Sequence, residues 1–214
     1  MSDFDAHSVA ENPEPGAQAA GRKRPKPGER RIQILQALAA MLEQPDGERI
    51  TTAALAARLQ VSEAALYRHF ASKAQMFEGL IEFIEQSVFT LINQITAAGA
   101  GDGAQQVARI MAMLLQFGEK NPGMVRVMVG DALVYENERL LQRMNLFFDK
   151  IEATLRRVLY QVETPDVSQT PTVDAQVQAS LLTAFAVGRL QRFARSGFKR
   201  LPSEHLDACL ARVL

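Results

Sequence analysis

From Ile32 to Leu214 the apolar residues recur at three- and four-residue spacing, and no stretch alternates apolar and polar in the manner of a strand. The pattern predicts an all-α chain. The first helix is expected over residues 29–42, with Ile32, Leu35, Leu38, Ala39 and Leu42 on one face and the turn Pro45-Asp46-Gly47 to end it. Residues 50–77, ITTAALAARLQVSEAALYRHFASKAQMF, then read as two short helices and the start of a third. Thr51 and Thr52 supply hydroxyls at a helix start, and Ala53 to Ala57 are strong helix formers. Ser62 offers a fresh N-cap, after which Leu66 and Phe70 share a face at i, i+4. Ser72 opens the third helix, with Gln75 placed to complete a capping box. Two short helices joined this tightly form a helix-turn-helix, whose second helix enters the DNA major groove.

The third helix continues to about residue 96 as one apolar stripe of Met76, Phe77, Leu80, Ile81, Ile84, Val88, Leu91, Ile92 and Ile95. A helix of that length couples the head to whatever follows. Glycines over residues 97–103 close it off, and helices are expected at 104–117, 124–135 (with Gly130 as a break), 136–162 and 173–195. A polar loop occupies 163–172, and Pro202-Ser203 is expected to start a last helix running to Leu214. The helix at 136–162 resembles a coiled-coil strand in its charge pattern, and also fits a bundle helix. The helix at 173–195 is the most hydrophobic, and Gly188 in its middle costs about 1 kcal/mol relative to Ala. Close approach of another helix would offset that cost. The last two helices are therefore expected to pair with their copies in a homodimer through Leu181, Leu182, Phe185, Gly188 and Phe193; the competing reading makes these residues intramolecular core.

Composition changes little: 214 residues, 47% hydrophobic and 22% charged, suit an ordinary globular protein. No apolar run approaches a membrane span, and a cytoplasmic location is expected. Cys209 is the only cysteine, and His7, His69 and His205 lie far apart, so neither an internal disulfide nor a metal-ligand cluster is legible. No cofactor is expected. Charge is more telling, because the net of zero divides unevenly. Residues 1–21 hold four acids and no Lys or Arg, whereas residues 22–77 hold ten basic against five acidic residues. The excess of positive charge therefore sits on the segment that holds the helix-turn-helix, with four of its ten cations on the N-terminal flank at Arg22 to Lys26, as phosphate contact requires. Residues 1–28 are read as a disordered tail, whose basic end, Arg22 to Lys26, is either a DNA-tracking arm or simply solvated.

The candidate DNA contacts are Thr51, Thr52, Ser62, Ala64, Ala65, Tyr67, Arg68, His69 and Lys73. Ser62 caps and can donate to phosphate; Ala64, Ala65 and Arg68 face outward if Leu66 and Phe70 face inward. The two alanines let the helix sit deep in the groove, with Arg68 on phosphate or guanine. Tyr67 and His69 would hold the backbone from the rim, and Lys73 would add charge at the next helix start. No nucleophile motif, phosphate-cradling glycine loop or metal spacing appears, so an enzyme is not expected.

VSEAALYRHFASKAQMF, with its Leu-Tyr-x-His-Phe and Ser-Lys followed by an apolar pair, resembles the signature of the TetR family of transcriptional regulators. Within that family, ITTAALAARLQVSEAALYRHFASKAQMFEGLIEFIEQS, FGEKNPGMVRVMVGDAL and GRLQRFARSGFKRLPSEHLDA resemble the nucleoid occlusion branch. The resemblance implies an all-α TetR-like fold, with a three-helix DNA-binding head over 29–77 and a helical dimerisation and regulatory domain over 78–214. It further implies a homodimer on palindromic double-stranded chromosomal sites that antagonises assembly of the tubulin-like division protein FtsZ over the nucleoid. Phe83, in the LIEFIE run that shares the resemblance, is a candidate partner contact if Leu80 and Ile84 point inward, and core otherwise. Two other readings stay open. A ligand-responsive repressor would need a pocket of about 300–1,000 Å³ with convergent polar groups. A chromosome-organising protein would need a broad basic surface.

Overall fold

The computed structural model describes residues 28–44, 50–97, 103–160 and 171–214. The expected N-terminal tail with its basic arm, the Pro45-Asp46-Gly47 turn, the glycine loop and most of the polar loop before Thr172 lie outside the described residues. Within them are α1 (Glu29–Leu42), α2 (Thr52–Arg58), α3 (Glu63–Tyr67), α4 (Lys73–Ala97), α5 (Gly103–Lys120), α6 (Pro122–Met128), a 3-10 turn (Asp131–Leu133), α7 (Glu138–Tyr160), α8 (Pro171–Arg195) and α9 (Leu206–Leu210). No strand occurs among the described residues, as the apolar periodicity predicts.

Three elements differ from expectation. The helix expected over 124–135 stops at Met128, because Gly130 takes a left-handed φ of +84° and turns the chain into the 3-10 segment. Val134 and Tyr135, apolar in pattern, are left 67% and 75% exposed there. The second motif helix ends at Tyr67 rather than Phe70, although the Phe70 N–H still reaches Leu66 O at 3.1 Å. The last helix shrinks to α9, since His205 precedes it at φ +55° and residues 201–204 form a turn pinned by the Ser203 N–H donating to Glu119 Oε1 at 2.9 Å.

The buried side chains form one continuous core. In α1 the inward stripe is Ile34, Leu38 and Leu42, each a turn apart; Ile32, counted inward by pattern, is more than half exposed. These residues cover Leu55, Leu66, Phe70, Met76, Phe77 and Leu80. In the body, α5 presents Val107, Ile110, Met111 and Leu114, and α7 presents Phe147, Ile151 and Leu155, all fully buried. The α8 face turned to them carries Ala175, Ala179, Ala186 and Leu190. Alanines at these spacings allow α8 to lie close along α7. α7 is thus a bundle helix. Its neighbours are α4, α5 and α8 of the same chain.

α4 runs unbroken past Phe77, where the sequence reading ends the head. Met76 and Phe77 pack in the head while Ile84, Val88 and Ile92 pack in the body. Two ion pairs tie α4 to the segment around α7. Lys73 Nζ pairs with Glu136, and Arg143 meets Glu85 with both Nε and Nη2, at 3.3 and 2.6 Å. The Glu85 hydrogen bond, outweighing the opposing effect of burial, raises the Arg143 pKa. Arg143→Met should cost about 1 kcal/mol, since the pair is bidentate yet about a third exposed on the Arg side. A shift of the urea midpoint measures it; an unchanged midpoint would show that this tie contributes nothing.

Candidate functional site: the helix-turn-helix head

Local hydrogen bonds explain why residues 51–75 fold as they do. Thr51 is extended at φ −103° and ψ 155°, and its Oγ1 accepts the Ala54 N–H at 3.1 Å. Ser62 repeats the arrangement for α3, accepting the Ala65 N–H at 3.3 Å. Between them the Val61 N–H reaches Ala56 O and the Gln60 N–H reaches Ala57 O, both at 3.0 Å. That bond pair is a Schellman closure, and it holds Gln60 left-handed at φ +54°. Gln60→Gly should therefore raise stability by about 0.5–1 kcal/mol with the head unchanged; a lower melting temperature would contradict the strain at this turn. Ser72 Oγ accepts the Gln75 N–H at 3.2 Å, and Gln75 Oε1 accepts the Ala71 N–H at 2.9 Å. The expected capping box forms, with its return bond displaced by one residue.

The nine candidate contacts fall into three groups. Thr51, Ser62, Ala64 and Arg68 are exposed, and Ala65 is half-buried beside them. The capping oxygens of Thr51 and Ser62 accept backbone N–H groups, which leaves each hydroxyl proton to donate outward. Thr52, Tyr67 and Glu63 instead latch α2 to α3. Thr52 Oγ1 donates to Glu63 Oε2 at 2.6 Å, and Tyr67 Oη lies 3.5 Å from Thr52 Oγ1. In this arrangement Thr52 and Tyr67 also hold α2 to α3, a role within the head that stands beside the phosphate contacts read from sequence. Lys73 is likewise engaged within the protomer. Its ammonium is half-buried against Glu136 and over the Phe77 ring, because the 3-10 turn brings a carboxylate to the α4 start from 63 residues away.

His69 is half-buried, and its carbonyl has a specific role. Arg31 Nη1 donates to His69 O at 2.5 Å while the guanidinium stacks over Phe70 at 4.2 Å. Arg31 thus clamps α1 onto the end of α3. No local signal in the sequence marks a partner 38 residues on. Arg68, the α3 C-cap, stands exposed beside the two alanines and is the long cation of this surface. Arg68→Ala should weaken DNA binding roughly tenfold and reduce the salt dependence by about one phosphate contact. Fluorescence anisotropy over a salt series checks this, and wild-type affinity with an unchanged slope would remove Arg68 from the interface.

The other predicted sites also separate. Phe83 is 48% exposed while Leu80 and Ile84 are buried, the orientation expected for a partner contact. On α8, Leu182 and Phe193 are at most 2% exposed within the single chain. Phe193 packs edge-to-face on Phe198 at 5.2 Å. Both are corrected to protomer core: they lie on the α8 side turned toward the rest of the chain. Leu181 is 53% exposed, Phe185 is half-buried, and a Cβ on Gly188 would meet nothing within 4 Å. Val173 and Val177 extend that open apolar side, each more than half exposed.

A closed helix-turn-helix on an all-helical body defines a DNA-binding regulator class. Residues 34–80 match the model of the bacterial regulatory proteins of the tetR family, and residues 102–211 match the SlmA-like tetracyclin repressor-like C-terminal domain. The chain is 52% identical over 179 residues to the nucleoid occlusion factor SlmA of Idiomarina loihiensis, covering 84% of this chain and 90% of that protein. It is 49% identical over 179 residues to that of Vibrio cholerae, covering 83% and 90%. Among solved structures, the MbdR regulator of Azoarcus sp. CIB superposes with a TM-score of 0.71 at 18% identity, covering 86% of this chain and 96% of that one. The Bacillus subtilis regulator FadR, in complex with stearoyl-CoA, gives 0.67 at 12% identity, covering 85% and 96%. The chain belongs to the SlmA family of TetR-type regulators.

Proposed function

We propose that this protein is a nucleoid occlusion factor. It binds palindromic chromosomal sites as a homodimer and, while bound, inhibits FtsZ assembly and so blocks division over the nucleoid. The observation that carries this reading is identity near 50% across about nine-tenths of relatives that bear that name. The geometry supports it. The exposed Thr51, Ser62, Ala64 and Arg68 form a surface for the major groove, and the open α8 side around Leu181 and Gly188 is where a second copy pairs. α4 then carries Phe83 outward on the same rigid helix that closes the head. The protein is accordingly cytoplasmic and nucleoid-associated; no described helix is long and apolar enough to cross a membrane.

The ligand-responsive alternative draws less support. Where α5, α7 and α8 meet, the side chains are apolar and tightly buried, and Thr183, the buried polar residue there among the described residues, donates to Ala179 O within its own helix. Overproduction in cells tests the proposal. Filaments lacking division rings are expected from the wild type and cells of normal length from Arg68→Ala; normal division in both would overturn it.

A further inference from the structure

At the C-terminal end of α8, beyond the Gly188 opening, a polar pocket of about 390 Å³ is lined by Arg189, Arg192, Lys199, Arg200, Leu201 and Glu204. Residues 189–203 carry five cations and no carboxylate. Glu204 is the single acid of the lining and lies 3.8 Å from His205. Four cations against one carboxylate leave an excess of three positive charges in a concave site. No ion pair joins Arg192, Lys199 or Arg200 to an acid among the described residues.

The backbone that carries Lys199 and Arg200 is fixed, and so is the Arg189 side chain. Ser196 Oγ accepts both the Lys199 and Arg200 N–H groups, at 3.1 and 3.0 Å. Gly197 and Phe198 are both left-handed at φ +63°, and the Phe198 ring is locked against Phe193 and under Arg126. Arg189 is fixed by donating to Glu204 O at 3.1 Å and by lying over Phe185 at 4.9 Å. The turn after α8 thus gathers like charges that would otherwise spread apart.

We propose that this pocket is a binding site for a compact phosphate-rich anion of the diphosphate class. Guanidinium forks match phosphate oxygens in pairs, and a diphosphate carries about the three negative charges that the lining leaves unbalanced. The volume lies in the range of small-molecule sites, too compact for an extended acidic chain. The anion can be a free pyrophosphate unit or the phosphates of a nucleotide; the pocket reads the chemistry they share.

Isothermal titration of the full chain with pyrophosphate, ADP, orthophosphate and sulfate tests the proposal. Saturable binding of pyrophosphate is expected, roughly tenfold or more tighter than orthophosphate or sulfate. ADP binding more tightly than pyrophosphate would identify a nucleotide as the natural source, and equal binding would show that the phosphates alone are read. The double variant Arg192→Gln/Arg200→Gln should keep its circular dichroism and oligomeric state and lose roughly tenfold or more in pyrophosphate affinity. Lys199→Gln, an independent surface change, should lose affinity in the same direction. Absence of saturable binding, no preference over orthophosphate, or binding that survives in both variants and so arises at the DNA-binding head would overturn the proposal.

Discussion

Gly123→Ala is expected to destabilise the protein by about 3 kcal/mol, the upper part of the range for overpacked cores. Gly123 lies in α6, fully buried against α1. A Cβ there would sit 2.0 Å from the Ala39 carbonyl oxygen, 2.9 Å from its carbon and 3.2 Å from Glu43 Cγ. The first two neighbours are backbone, so no rotamer change relieves the clash; α1 and α6 must part. An alanine at an unhindered helix position would instead gain about 1 kcal/mol from propensity, so the sign separates the two effects. Urea unfolding measures it. A variant as stable as the wild type would mean that α1 and α6 do not touch backbone to backbone. Because α1 also clamps α3 through Arg31, the same substitution should loosen the head and lower DNA affinity beyond what the unfolded fraction explains.

Leu181→Asp should abolish the dimer at micromolar concentration and cost roughly a hundredfold or more in affinity for a palindromic site. A linked pair of heads gains about 10²–10⁴ from binding both half-sites together, and separate heads forfeit it. Leu181 is more than half exposed in the single chain, so the fold has little to lose from the change, whereas a buried aspartate at the seam is unpaired. Leu182→Asp, one residue on, should by contrast unfold the protomer, because that side chain is 1% exposed within it. Sedimentation velocity and thermal melting separate the two outcomes. A dimeric Leu181→Asp would move the interface away from this side of α8.

The contrast between these neighbours shows what sequence can reveal. The caps at Thr51, Ser62 and Ser72 act within three residues, so the two motif helices were legible from residue type and spacing alone. The phase of α4 was legible only in part: Leu80 and Ile84 lie inward and Phe83 turns out, but Leu91, counted on the same stripe, is 37% exposed. Over residues 179–188 of α8 every residue is apolar or small, and periodicity could not divide Leu182 and Phe193, facing the same chain, from Leu181 and Gly188 on the open side, or place the half-buried Phe185 between them. Val134 and Tyr135 misled for a related reason, since their apolar character suggested a helix that Gly130 interrupts. Contacts distant in sequence left no local trace. Arg31 to His69, Lys73 to Glu136 and the Gly123 backbone contact each depend on how whole helices meet. Two of them engage cations, Arg31 and Lys73, in holding the head together.

The central claim is that the DNA-bound dimer acts on FtsZ. Light scattering of FtsZ assembled with GTP, recorded with this protein alone, with its palindromic DNA, and with both together, tests it most directly. The account predicts a marked fall in polymer signal with both present, and a weaker effect when Phe83→Ala replaces the wild type. Unchanged polymers in the presence of DNA-saturated protein would contradict it.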